Sequence, residues 1–185
     1  MGWRRFLGLG GESAGLPALL PETDSVRRIT RELESLPFEQ ARFIAAFAYV
    51  LSRVAHADLD ISPLEIQAME RLVAEKGGLG PGEARLVVEI ARAQNVREGA
   101  TENFLVTREF GRIASREQKL HLVECMYAVA AAHGLVSQAE DDEIRRIASE
   151  LALDHRDVIA IRSAYRDRLA VMQNLPRWPS ASGAG

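Results

Sequence analysis

The stretch Phe38-Glu-Gln-Ala-Arg-Phe-Ile-Ala-Ala-Phe-Ala-Tyr-Val-Leu-Ser-Arg-Val54 decides the fold. Its large apolar residues Phe43, Ile44, Phe47, Val50, Leu51 and Val54 recur at spacings of three and four. That is the period of one buried helical face. The polar face is thin, so this helix, expected over roughly 38–57 and opened by Pro37, belongs at the centre of a core. The same pattern returns 75 positions later, where Leu122, Cys125, Met126 and Val129 stand for Phe47, Val50, Leu51 and Val54. Helix-start signals repeat at the same offset. Ser62-Pro-Leu-Glu65 and Ser137-Gln-Ala-Glu140 both read as capping boxes, in which the serine accepts from a backbone N–H and the glutamate reaches back to the N–H of the serine. Downstream, Met69 and Leu72 match Ile144 and Ile147. A repeated apolar helix, acidic turn, capped helix and further helix predict duplicated helical units packed face to face.

The surrounding segments carry the same period. A first helix is expected over 24–35, capped by Asp24 or Ser25, with Val26, Ile29, Leu33 and Leu36 as its stripe. Gly77-Gly78 stops the helix that Ser62 starts, and Pro81-Gly-Glu83 opens the next, with Ala84, Val87, Val88 and Ala91 inward. Phe104-Leu-Val-Thr107 has strand propensity, but Val106, Phe110 and Ile113 fit a helix and no partner strand is visible, so the segment 96–114 is read as helical. Ser115 caps a helix to about 133, and a last helix runs from about Asp154 into the 170s through Val158, Ile161, Tyr165 and Leu169. The expected architecture is all-α: a compact helical bundle of about seven to eight helices. It is built from two pseudo-repeated units, about 38–95 and 116–172, within a single domain over 22–175. Residues 1–21 read as a flexible leader and 176–185 as a disordered small-residue tail.

Bulk properties narrow the function classes. The 185 residues are 47% hydrophobic and 26% charged, an ordinary globular balance. A net charge of −3 disfavours nucleic acid as a main partner. One cysteine, Cys125, forms no internal disulfide and lies on an apolar stripe, where it acts as a small hydrophobe. No run of about 18 to 20 uncharged apolar residues exists to span a bilayer, and no signal-peptide core is present, so the cytoplasm is the expected compartment. Trp3-Arg-Arg-Phe-Leu7 could make a weak peripheral contact with an anionic membrane surface, although a floppy leader explains it more simply.

At its two inter-helix turns the chain resembles the TerB-like family, named for a tellurite-resistance protein, whose related domains also form the N-terminal part of a membrane-attached J-domain co-chaperone. The family pattern is an apolar helix, Ala-Asp-Gly, an apolar residue, a hydroxyl cap and an acidic residue opening the next helix. Here the copies read Ala57-Asp-Leu-Asp-Ile-Ser-Pro-Leu-Glu65 and Ala132-His-Gly-Leu-Val-Ser-Gln-Ala-Glu140, and the resemblance covers roughly 38–170. Leu59 departs from the glycine of the first motif and His133 from the aspartate of the second. The resemblance implies the TerB-like helical fold and a stress-associated role, in tellurite or metalloid resistance or in co-chaperone-like association.

The chemistry-bearing residues allow two roles. Asp58, Asp60 and Glu65, joined by Glu140 from the second turn, are candidate oxygen ligands for a divalent cation. The loop is no EF-hand, since Pro63 and Met69 occupy its glycine and glutamate positions, and helix capping accounts for Asp60, Ser62 and Glu65. His56, His121, His133 and His155 form no Glu-x-x-His pair and no zinc motif. No nucleophile elbow and no phosphate loop is present, so no catalytic residue and no cofactor is assigned. Arg27, Arg28, Arg31, Arg145, Arg146, Arg162, Arg166 and Arg168 read as solvated faces paired with nearby acids. The expected function is a non-enzymatic interaction module for an unidentified protein partner. The alternative is a divalent-metal-binding or metal-sensing protein using the acidic turns.

Overall fold

The computed structural model describes residues 24–54, 63–93, 100–132 and 134–173. In chain order they form α1 (Asp24–Glu34), α2 (Phe38–Ser52), α3 (Pro63–Gly77), α4 (Pro81–Ala93), α5 (Ala100–Ile113), α6 (Arg116–Ala132), α7 (Gln138–Glu150) and α8 (His155–Ala164). A 3₁₀ turn at Arg166–Arg168 and the four-residue α9 (Ala170–Gln173) follow. Extended pairing among the described residues amounts to one isolated parallel bridge, Val136 with Leu169. The all-helical expectation therefore holds, including the helix chosen for the stretch around Phe104.

Two helices organise the core. From Ile44 to Leu51 every residue of α2 is buried, and from Val123 to Ala130 so is every residue of α6 except Glu124. This explains their thin polar faces: each is packed on nearly all sides. Helix α2 lies against α4 and α5, and α6 lies against α3, α7 and α8, with α2 and α6 touching each other. Positions 75 apart match in burial on these helices: Phe47 and Leu122, Val50 and Cys125, Leu51 and Met126, Val54 and Val129 are all at most 1% exposed. The match weakens downstream, where Ile144 and Ile147 are fully buried but Met69 and Leu72 only partly so. Phe43, Phe47 and Phe110 form an aromatic cluster with centroids 5.5–6.0 Å apart, which joins α5 to α2.

Side chains set the helix boundaries. Ser137 accepts from the Glu140 N–H while the Glu140 carboxylate accepts from the Ser137 N–H, the capping box read from the sequence. Ser115 and Gln118 make the same reciprocal pair at the start of α6, and the Asp154 carboxylate accepts from the Arg156 N–H at α8. The corresponding box at Ser62 lies outside the described residues.

Two boundaries differ from expectation. Helix α2 stops at Ser52 rather than near 57: the N–H groups of Arg53 and Val54 turn back to the carbonyls of Val50 and Leu51, and the Arg53 side chain leaves for other helices. The last helix does not run unbroken into the 170s. It ends at Ala164, because the chain must turn at Tyr165 to pair Leu169 with Val136.

Candidate functional site

Of the sequence-derived ligand set, Asp58 and Asp60 lie outside the described residues, and so does the side chain of Glu65, whose backbone sits in the first turns of α3. Glu140 is committed to the capping box of α7. Among the described residues no group of three or more histidine, cysteine, aspartate or glutamate side chains is gathered to hold a metal ion. His56 and His133 also fall outside the described residues.

The helices nevertheless place the start of α3 and the α6–α7 turn at one end. Lys76, near the end of α3, pairs with Glu124 of α6 at 3.3 Å, and Gly78 abuts the His121 ring. Helix α3 therefore runs antiparallel to α6, and Leu64 lies about 18 Å along the axis from Lys76, beside the end of α6. The α6–α7 turn, with Leu135, is at that end. Leu64 is 76% exposed and Leu135 51%, whereas Val73 on α3 and Val136 in the turn are buried.

Behind the second turn lies a polar network that the sequence reading missed. Asp141, in the first turn of α7, is only 4% exposed. Its Oδ1 accepts from the Tyr127 hydroxyl at 2.9 Å and from Arg162 Nε at 2.8 Å, and its Oδ2 accepts from a second Arg162 nitrogen at 2.9 Å. Burial pushes the Asp141 carboxyl up. Hydrogen bonds from Arg162 and Tyr127, and the charges of Arg162 and Arg145, outweigh it and hold the group below its ordinary value. The Tyr127 hydroxyl is pushed up by burial and by the neighbouring carboxylate. Its ring stacks on Tyr165 with centroids 5.6 Å apart. Arg162 is thus one arm of a bidentate buried pair, which corrects its reading as part of a solvated basic edge.

A second network ties α2 to α5 and α7. The Arg53 guanidinium, 5% exposed, donates through Nε to Glu143 at 2.9 Å, through Nη1 to Glu150 at 2.8 Å, and to the Thr107 hydroxyl. Arg42 and Arg112 flank Glu109 between α2 and α5. A spacing signal for Asp141 existed: it continues the stripe Ile144, Ala148 and Leu151 backward by three. Nothing comparable marks Arg53, whose role depends on distant acids.

Cys125 is fully buried, and burial together with the Glu124 charge pushes its thiol up to about 12. It is held as a protonated core side chain, as its place on the stripe implied. Every strongly buried charge described here is engaged by partners on neighbouring helices, so these groups hold helices together.

The fold defines an all-α bundle built around two closely packed central helices. Residues 43–163 match the family model described as tellurite resistance protein TerB, and the chain belongs to that family. No curated protein and no solved structure matches the chain. Among the described residues, no helix is long and apolar enough to cross a membrane.

Proposed function

We propose that the chain is a non-catalytic interaction module of the tellurite-resistance family, acting in the cytoplasm by presenting its turn-bearing end to a protein partner. In this reading residues 22–175 are one TerB-like domain. The observation that supports it is the pair Leu64 and Leu135, exposed at the end of the bundle where α3 starts and the α6–α7 turn lies. An exposed aliphatic residue alone is ordinary, but two at the same end are suited to a partner's apolar contact. The buried charges support the non-catalytic part, since Asp141, Arg53 and Glu109 each bond to a side chain on a neighbouring helix. The test is affinity capture from cells of a TerB-encoding bacterium with the full chain, against a Leu64→Glu/Leu135→Glu variant. A partner held by the first and lost by the second is the expected result. Identical captured sets would remove the turn end from the function.

The second reading, a divalent-cation site at Asp58, Asp60, Glu65 and Glu140, is favoured by the start of α3 and the α6–α7 turn standing at one end. Carboxylates converging there would need a cation to offset their repulsion. A cation bound only by the folded chain raises the melting temperature. Melting curves that coincide with calcium, magnesium and chelator would leave these acids as helix caps.

A further inference from the structure

Residues 1–42 precede the family-matched stretch, and α1 fixes the end of the bundle from which they depart. Arg28 of α1 pairs with Glu89 of α4 at 3.2 Å, and Glu32 pairs with Arg85 at 2.6 Å. Rising numbers on α1 meet falling numbers on α4, so the two helices are antiparallel. Helix α4 in turn packs back along α3 after the short turn at 78–80. The starts of α1 and α3 therefore lie at one end, where Leu64 is 76% exposed. Ile29 and Leu33 bury α1 in the core, so the point where the preceding chain joins the bundle is fixed. Just ahead of α1 stands Ser13-Ala-Gly-Leu-Pro-Ala-Leu-Leu-Pro21, a run without a charge that carries leucines at 16, 19 and 20.

We propose that this run docks on Leu64 through Leu16, Leu19 and Leu20, and is the internal occupant of the surface offered to a partner. Reach permits it. Helix α4 packs on both α1 and α3, which sets α3 two interaxial spacings from α1, about 16–20 Å. Leu16 stands eight positions before Asp24 and Leu19 five, and extended chains of those lengths span about 26–29 Å and about 17–18 Å. The tether replaces affinity: a short linker holds the run at an effective concentration on the order of millimolar, enough to populate a contact too weak to form between separate molecules. Pro17 and Pro21 restrict the backbone choices of the run, which lowers the entropy lost when it is ordered. Its lack of charge suits an aliphatic seat, where an ion would have to be desolvated. As regulation of the partner surface, the proposal rests on the interaction reading above.

Paramagnetic broadening on the full chain tests the docking without any partner, so its outcome is separate from that of the capture experiment. A nitroxide is attached through Ser13→Cys, while Cys125, fully buried, stays unlabelled. Broadening of the Leu64 methyl resonances is compared with that in the same labelled chain carrying Leu16→Ser, Leu19→Ser and Leu20→Ser. The tether is identical in both, so a difference reports docking rather than proximity. The serine variant is expected to lower the broadening at Leu64 by about tenfold, because the apolar contact is lost while the effective concentration is kept. The Val123 methyls, in the core of α6, are expected to keep their positions. Equal broadening in the two chains overturns the proposal and leaves Leu64 to an outside partner. Broadening that appears when labelled chains are mixed with unlabelled, isotope-enriched ones overturns it in favour of a second copy. Val123 methyls that move with the serine substitutions overturn it as well, since the run would then be part of the core and not an occupant of the surface.

Discussion

Ala152 is the residue most at odds with its own backbone. Its φ of 54° lies in the left-handed region, which a Cβ disfavours. The conformation is imposed by the stop of α7: the Leu153 N–H reaches the Ala148 carbonyl and the Ala152 N–H reaches that of Ser149, the two bonds of a Schellman motif. Gly78 fills the same place after α3 with φ 64°, and there a Cβ would come within 2.5 Å of His121 Nδ1. Ala152→Gly is therefore expected to raise unfolding stability by about 0.5–1 kcal/mol, the left-handed penalty less the added entropy of glycine, read in urea denaturation. Gly78→Ala should lower it. Asp141 is the costliest side chain to lose, since its removal leaves Arg162 and Tyr127 without their acceptor. Asp141→Ala is expected to cost about 3 kcal/mol, the low end for breaking a buried pair, because Arg162 keeps partial contact with water. The sign of the pH effect follows from the direction of its shift. A carboxyl held below its ordinary value in the folded state contributes stability above that value, and loses it as pH falls toward the lower folded one. The native chain should lose stability below about pH 4, and Asp141→Asn should flatten that part of the curve. In the sequence Asp141 was hidden inside the run Glu140-Asp-Asp-Glu, which reads as a solvated helix start. At the equivalent position of the first copy stands Ile66, so the repeat itself marked the position as facing the core.

Helices were legible wherever a local signal governed them, and misread where a distant partner did. The stripes of α2 and α6, the Gly77-Gly78 stop and the box at Ser137 depend on neighbours within a few positions, so their patterns survive in the sequence alone. Helix α5 was separable from a strand because Val106 and Phe110 turn inward at helical spacing while Phe104 stays exposed. The premature end of α2 had no such mark. Ala55 to Ala57 continue an apolar pattern, and only the acids Glu143 and Glu150, some 90 residues away, reveal why Arg53 departs. The break at Tyr165 was equally silent, since Val158, Ile161, Tyr165 and Leu169 keep helical spacing across it. The candidate metal set was legible only as a list of acids, and of the four the structure describes one side chain in use, Glu140 in its cap. Ser137→Ala removes an acceptor for the Glu140 N–H at an exposed helix start, and is expected to cost about 1 kcal/mol in thermal or urea unfolding. An unchanged midpoint would mean that the Val136–Leu169 bridge holds the start of α7 without the cap.

For the whole molecule, burial and exposure divide the labour. The centre is given to α2 and α6; Arg53 and Arg42 tie α7 and α5 to the α2 segment, and Arg162 draws α8 onto α7. One end, where α3 starts and the α6–α7 turn lies, keeps Leu64 and Leu135 in solvent, with the Val136–Leu169 bridge in that turn. The chain belongs to the tellurite-resistance protein family, and the function proposed for that end follows from its exposed side chains. The most direct measurement is the minimal inhibitory concentration of tellurite for a sensitive bacterial host expressing the full chain, the Leu64→Glu/Leu135→Glu variant, or neither. Protection by the native chain, with the variant falling to the level of the empty host while its circular dichroism and melting curve stay native, is the predicted result. A folded variant that protects as well as the native chain, or a native chain that does not protect at all, would contradict it.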